Sequence, residues 1–390
     1  MKAILKILAI GLLAAVAAVS VQAAETIKIG FNAPLTGFAA ADGNSARIGA
    51  ELAVEQINAA GGVNGKMLEL VVYDDQASPK ESVPIAQKLI EKDKVKIGIS
   101  GSYSGATRAA AGVYQAAGVP YISAYAVHPD ITRAGDYVFR TSFVGEVQGR
   151  AGAKLIGDSL GKKKVTMITL NNDFGQSLAA GFREAAKKYG VEVVNEYDYS
   201  IKDRQFGPIV SKVKADNPEA IYASGYFFTA GPLVAQLRSA GINVPVIGQE
   251  GYDSEKFIEI AGAAAEGVII TTSLDRDSDA AETRSFIEQF EKKAGFKADM
   301  VAASAHTAVK VAAEALRKAG QAYHTSQKEE DPAAIRDAIA ATTVDASTGT
   351  ISFNKLGEVR KDVQVQMVKD GQWRRHSVIS DPELLAPPEQ

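Results

Sequence analysis

The stretch Val95-Lys96-Ile97-Gly98-Ile99-Ser100-Gly101-Ser102-Tyr103-Ser104-Gly105-Ala106-Thr107 decides the fold. Val95 to Ile99 reads as a short buried strand, the following small and polar residues as a turn, and Ala106 to Ala117 as a helix. Val119-Pro120-Tyr121-Ile122 then restores a strand. Strand, helix and strand in close succession make a parallel unit with a right-handed crossover. Such units stack into a twisted sheet with helices packed on it.

The same alternation runs outward in both directions. Upstream, Thr26-Ile27-Lys28-Ile29-Gly30-Phe31 and Met67-Leu68-Glu69-Leu70-Val71-Val72-Tyr73 predict strands on either side of a helix from Ala46 to Ala60. Ser78-Pro79-Lys80-Glu81 opens the next helix, to about Lys92, with serine at the N-cap, proline first and glutamate at the capping-box position. Downstream the pattern restarts. Val165 to Leu170 predicts a strand, Ser177 to Tyr189 a helix, and Val191 to Tyr197, Ala220 to Ala223, Val244 to Ile247 and Gly267 to Thr272 further strands. Two α/β lobes are the simplest packing. A helical stretch from Ala281 to Ala319, a short helix from Pro332 to Ala341 and strands near Gly349 to Phe353 and Val363 to Val368 follow. This tail completes neither lobe alone, so the chain is expected to cross between them more than once. Pro387 and Pro388 belong to an exposed terminus.

Composition narrows the function. With 390 residues, 46% hydrophobic and 23% charged, the chain is too long for one core and ordinary for a folded protein. Its formal charge of −3 gives no electrostatic footprint for nucleic acid. It has no cysteine, which excludes disulfides, cysteine–zinc sites, iron–sulfur clusters and thiol catalysis. Lys2 and Lys6 precede an apolar run from Ile7 to Val21, and Val21-Gln22-Ala23 supplies small residues for cleavage. Residues 1–23 therefore read as a secretory signal peptide. The run falls short of the roughly 20 apolar residues of a spanning helix. Without a cysteine at the cleavage site there is no lipid anchor, and the periplasm is the expected location.

Little in the chain suggests catalysis. No GxGxxG or GxxxxGK[ST] fingerprint is present, so a nucleotide cofactor has no local support. Gly101-Ser102-Tyr103-Ser104-Gly105 has the outline of a hydrolase elbow, but tyrosine stands where the nucleophile belongs. His128, His306, His324 and His376 show no metal-ligand spacing, and His324 sits in a polar, solvated loop. Asp74-Asp75 and Asp275-Arg276-Asp277 read as solvated loop edges. A non-enzyme without cofactor or metal is the expectation.

In open α/β sheets, ligands collect beyond the carboxyl ends of the strands. The segment Ser100 to Thr107 is such an end: its small residues admit close approach, Ser104 and Thr107 carry hydroxyls, and the helix start suits a carboxylate. A capped helix after a glycine-rich turn would look the same.

Motifs spread along the chain add a resemblance. Pro34-Leu35-Thr36-Gly37, Ala59-Ala60-Gly61-Gly62-Val63-Asn64-Gly65, Tyr73-Asp74-Asp75 and Ser78-Pro79 come first. Gly118-Val119-Pro120, Phe139-Arg140-Thr141, Asp173-Phe174-Gly175 and Gly248-Gln249-Glu250-Gly251 follow in order. Together they resemble the leucine/isoleucine/valine-binding family of type I periplasmic binding proteins. The resemblance implies an α/β fold of two Rossmann-like lobes with parallel-sheet cores, joined by a three-crossover hinge. It places one lobe at 24–142 plus 277–350 and the other at 143–276 plus 351–390. It also implies a monomer that closes on a small ligand and hands it to the membrane permease of an ABC importer.

The resemblance assigns roles residue by residue. Ser104, Gly105 and the Thr107 region match the segment that holds a ligand carboxylate, and Tyr125 and Val127 match the next loop. Val127 replaces a threonine usual in amino-acid binders. Phe174 and Tyr226 match aromatic positions of the second lobe, and Glu250 matches the acid that pairs with the ligand α-ammonium. Asp42 stands at a mouth position that is often aromatic. Ala77 and Tyr103 take positions where some members have a loop disulfide. Tyr125, Phe174, Tyr226, Phe227, Phe228 and Tyr252 would make an aromatic wall, with Phe227 and Phe228 equally fit for the core. The implied ligand is an amino acid with an aliphatic or other apolar side chain. An aromatic carboxylate or amide ligand, or a ligand-sensing receptor subunit, stays open beside it.

Overall fold

The computed structural model describes residues 26–322 and 331–387. The expected signal peptide, His324 and Pro388 lie outside these residues.

Five strands form the first sheet: β1 (Thr26–Ala33), β2 (Met67–Asp74), β3 (Ile97–Ser100), β4 (Tyr121–Ser123) and β5 (Val138–Arg140). All pair in parallel, in the order β2-β1-β3-β4-β5. Helices α1 (Ala40–Ala59), α2 (Pro79–Glu91) and α3 (Ser104–Ala117) make the crossovers. Helix α3 starts two residues earlier than its apolar spacing suggests, because Tyr103 is extended and the small Ser104 and Gly105 form the first turn. Ser78 does stand at the N-cap of α2 and Pro79 does follow it, but the Ser78 hydroxyl makes no capping bond. Proline and backbone geometry start this helix.

The chain then leaves for the second lobe. Helix α4 (Gly145–Lys154) leads into β6 (Lys164–Leu170), α5 (Asp173–Ala186), β7 (Glu192–Tyr199) and α6 (Gly207–Asp216). After these come β8 (Ala220–Ala223), α7 (Phe227–Ser239), β9 (Val246–Gln249), α8 (Glu255–Ala261) and β10 (Ile269–Thr272). These five strands pair in parallel with one another.

The predicted long helical stretch is two helices, α9 (Ala281–Ala294) and α10 (Met300–Ala322), with Gly295 in a left-handed conformation at the break. Helix α10 packs on α1 and β3, so the chain has returned to the first lobe. Helix α11 (Pro332–Ala340) and the hairpin β11 (Thr343–Ala346) and β12 (Gly349–Ser352) follow there. A third passage ends in β13 (Val363–Lys369) and β14 (Gln372–Ile379), which add antiparallel to the second sheet in the order β14-β13-β10-β9-β8-β6-β7. The fold is thus two α/β lobes with largely parallel cores and three connections.

The connections are tied by buried charge. The Arg140 side chain, fully buried at the end of β5, pairs with Glu358 at 3.0 Å on the third connection and donates to the carbonyls of Ala126 and His128. The Thr132 hydroxyl donates to the same glutamate. Lys361, buried nearby, donates to the Thr141 carbonyl at 3.2 Å and to the Thr348 hydroxyl at 3.0 Å. The first and third connections therefore cross the interlobe region as one braced unit.

Removing one partner of a buried, hydrogen-bonded pair leaves the other charge without compensation. Arg140→Ala is expected to lower unfolding free energy by about 3–5 kcal/mol, measured by urea denaturation. A loss below about 1 kcal/mol would show that Glu358 finds water or another donor.

Candidate functional site

A small cavity lies between the carboxyl ends of the two sheets. From the first lobe it is lined by Asp42 on α1, by Tyr103 and Ser104 at the start of α3, and by Tyr125 and Ala126 after β4. Met300 and Val301 at the start of α10 complete that side. From the second lobe come Phe174 at the start of α5, Tyr226 before α7, and Glu250, Gly251 and Asp253 after β9.

Local chemistry fixes each loop. The Asn172 side chain accepts from the Gly175 N–H at 2.9 Å, capping α5 and setting Phe174 in its first turn. The Thr229 hydroxyl accepts from the Tyr226 N–H at 3.1 Å. A Cβ at Gly251 would come within 2.2 Å of the Gly225 carbonyl, so only glycine lets these two loops pack. Asp75 is not the solvated edge its neighbourhood suggests: it is buried, and its carboxylate accepts from Ser102 at 2.9 Å and Asn32 at 2.7 Å. It thereby holds the loop that leads to Ser104. Asp275 and Arg276 are also committed, to Arg375 and Asp253 respectively.

The lobes are closed on one another. The rings of Tyr103 and Tyr226, from opposite lobes, stack with centroids 4.0 Å apart and planes 6° apart. Phe174 stacks on Tyr226 at 4.8 Å. At the mouth, Arg108 on α3 pairs with Asp173 on α5 at 2.8 Å, and Phe38 meets Phe228 edge-on.

The acids carry the strongest electrostatic signals. Glu250 is 3% exposed, and neither of its carboxylate oxygens has a hydrogen-bond partner among the described residues. Burial pushes its carboxyl up to about 8; the neighbouring Gln148 amide and the Lys361 charge oppose that rise. Gln148 stands close enough to act electrostatically, yet its amide nitrogen makes no hydrogen bond of good geometry. Burial in turn lowers Lys361 to about 7. Asp42 accepts from the Tyr103 hydroxyl at 2.7 Å and is pushed up to about 8 by burial. Asp299 is raised to about 7 by the same cause while accepting from Ser45 at 2.7 Å. Asp253 is answered by Arg276 and by the Thr272 hydroxyl at 2.6 Å.

Six of the expected residues line this cavity: Asp42, Ser104, Tyr125, Phe174, Tyr226 and Glu250. Gly105 lines a groove outside it, with Phe38, Arg108 and Asn172. The Thr107 hydroxyl is buried within its own loop, 2.7 Å from the Ser100 hydroxyl and 3.0 Å from the Tyr103 carbonyl. Val127 is fully buried, and its N–H donates to the Ser104 hydroxyl at 3.2 Å. That bond uses an acceptor lone pair and leaves the Ser104 O–H to donate into the cavity. Tyr252 packs on Phe257 and donates to the Ala223 carbonyl, away from the cavity. Phe227 and Phe228 are buried and do not line the cavity, Phe228 stacking on Tyr226 and meeting Phe38 at the mouth. Tyr103, Gly251, Asp253, Met300 and Val301 are lining residues that motif reading missed. A tyrosine stationed directly before a helix start that carries the expected anion site was the available signal for Tyr103.

His306 is buried between Ser347 and Gln56, and burial lowers it to about 3, so it is a neutral core histidine. Among the described residues, no group of three or more histidine or acidic side chains has a metal-holding arrangement, and no helix is long and apolar enough to cross a membrane.

Comparison with known proteins places this geometry. A family model described as periplasmic binding protein matches residues 26–372. The leucine-, isoleucine-, valine-, threonine- and alanine-binding protein of Pseudomonas aeruginosa is 32% identical, covering 87% of this chain and 88% of the relative. The crystal structure of a leucine-binding protein from Thermotoga maritima superposes with a TM-score of 0.85 at 27% identity, over 92% of this chain and 99% of that one. The branched-chain amino acid transporter substrate-binding protein of Streptococcus pneumoniae, in complex with isoleucine, gives 0.82 at 29% identity, over 91% and 99%.

Proposed function

This chain belongs to the periplasmic binding protein family, and we propose that it captures a small amino acid by lobe closure and delivers it to the permease of an ABC importer. One observation carries the reading: two unanswered polar sites border the cavity from opposite lobes. Glu250 offers both carboxylate oxygens, while the Ser104 hydroxyl and the first N–H groups of α3 offer donors. An α-amino acid presents the complement, an ammonium and a carboxylate on one carbon. Helix starts favour anions through their free N–H groups and dipole. Charge-assisted hydrogen bonds contribute about 1.5–3 kcal/mol each.

In this reading Asp42, Ser104, Tyr125, Phe174, Tyr226 and Glu250 touch the ligand, whereas Gly105, Thr107 and Val127 shape the loops that present it. The aromatic rings, Met300 and Val301 form an apolar wall for the side chain, in keeping with the leucine and isoleucine named for the relatives. Residues 24–142 with 277–350, extended to Ser352 by the β11–β12 pairing, make one lobe, and 143–276 with 353–390 the other. The protein binds without turnover, works as a monomer outside the cytoplasm after loss of residues 1–23, and docks on its permease in the closed form.

Two outcomes test the clamp. Glu250→Ala is expected to weaken amino-acid binding a hundredfold or more, on the order of 3 kcal/mol for an ammonium left unpaired; unchanged calorimetric affinity would remove the clamp. The second is pH dependence. A ligand without an ammonium closes the lobes over a Glu250 whose pKa is raised from 4.5 to about 8, so its binding takes up a proton between those values. Its affinity falls by up to about tenfold per pH unit as pH rises from 5 to 8. An amino acid answers the ionised Glu250 carboxylate and falls less steeply, keeping only the share that Asp42, also raised to about 8 by burial, contributes. An amino acid whose affinity fell as steeply as that of the ammonium-free ligand would contradict the pairing.

A further inference from the structure

The proposed function accounts for Glu250 and Ser104 but leaves Asp42 without a task. We infer that Asp42, set by Tyr103, forms a second polar subsite that selects amino acids whose side chain has an apolar stem and ends in an N–H or O–H donor. The inference rests on the amino-acid reading and sharpens which side chain the cavity takes.

The argument starts from cost. A buried carboxyl is unfavourable unless its oxygens are answered. Asp42 is 6% exposed, and its one hydrogen-bond partner among the described residues is the neutral phenol of Tyr103, on Oδ2. Oδ1 is left open at the cavity wall. The other acids differ. Asp253 is answered by Arg276 and Thr272, and Asp299 by Ser45 and the Ala302 N–H. Three acids and no lysine or arginine stand among the twelve lining residues. A zwitterion with an aliphatic side chain would satisfy Glu250 and leave Asp42 facing hydrocarbon.

A donor at the tip of the side chain removes that mismatch. The stem would lie along the apolar wall of Phe174, Met300 and Val301, beside the stacked Tyr103–Tyr226 pair, and the tip would reach Oδ1. Burial raises the Asp42 pKa against the hydrogen bond from Tyr103, as for a carboxyl with one neutral donor. Tyr103 is a positioning residue here, because its hydroxyl orients the carboxyl.

The test uses calorimetry on the whole mature protein with shape-matched ligand pairs: leucine and asparagine, methionine and glutamine, norleucine and lysine, phenylalanine and tyrosine. At least one donor-ended member is expected to bind tenfold or more tighter than its apolar partner. Asp42→Leu is expected to bring that ratio to unity or invert it, and Tyr103→Phe to shrink it at least threefold. If Asp42→Leu fails to fold, the isosteric Asp42→Asn is expected to change the same ratio. Tighter binding of the apolar member in every pair, or a ratio unmoved in the Asp42 variants, would overturn the subsite while leaving amino-acid capture intact. Binding of none of the eight would overturn both.

Discussion

Closing two lobes over Glu250 takes a carboxylate out of water without giving it a partner, and the rest of the site answers to that constraint. Burial raises its pKa to about 8, and the nearest cation, Lys361, is itself lowered to about 7 by burial. Neither group settles the other: Lys361 spends its donors on Thr141 and Thr348. Closure therefore requires either a proton on Glu250 or a positive group brought by the ligand, and this couples closure to ligand. A ligand shifts an equilibrium between two forms only by its difference in affinity for them. In the proposed clamp that difference is concentrated in one charged group on the second lobe and one helix start on the first.

The frame around the cleft is built to move as rigid pieces. Each sheet has one face on a core of its own, around Tyr114 and Tyr121 in the first lobe and Phe182 and Tyr222 in the second, and the connections are braced by Arg140, Glu358 and Lys361. Contacts across the mouth are of a weaker kind: a stacked tyrosine pair, an edge-on phenylalanine pair and the partly exposed Arg108–Asp173 bridge. Partly exposed ion pairs contribute little, about 0–1 kcal/mol. Strong ties at the hinge with weak ties at the mouth suit hinge motion.

Much of this was legible in the sequence, for physical reasons that differ by element. The parallel strands announced themselves as short apolar runs between helical spacings, as at Ile97 to Ser100. Strand β14 was not seen, because Gln372-Trp373-Arg374-Arg375-His376 is an edge segment with charged, exposed side chains. Its turn signal was present: Asp370 and Gly371 both adopt positive φ, as a tight hairpin turn requires. In the cavity, Ser104, Phe174 and Glu250 were found because each stands in a short motif at a strand or helix end, and Asp42 through the family resemblance alone. Met300 and Val301 were out of reach, since they arrive only when the chain returns to the first lobe. Asp75 looked like one of two solvated acids, and only its burial against Ser102 and Asn32 reveals a structural part.

The central claim, that ligand drives the two lobes together, is open to a direct distance measurement. The chain lacks cysteine, so Lys80→Cys and Lys202→Cys place two spin labels, one on each side of the mouth, without background. Both lysines are exposed, and their neighbours Pro79 and Ile201 line the same outer groove. Pulsed electron resonance is predicted to give a longer, broader distance distribution without ligand, and a shorter, narrow one with the tightest-binding amino acid at saturation. An identical distribution in both conditions would contradict closure as the mechanism of capture.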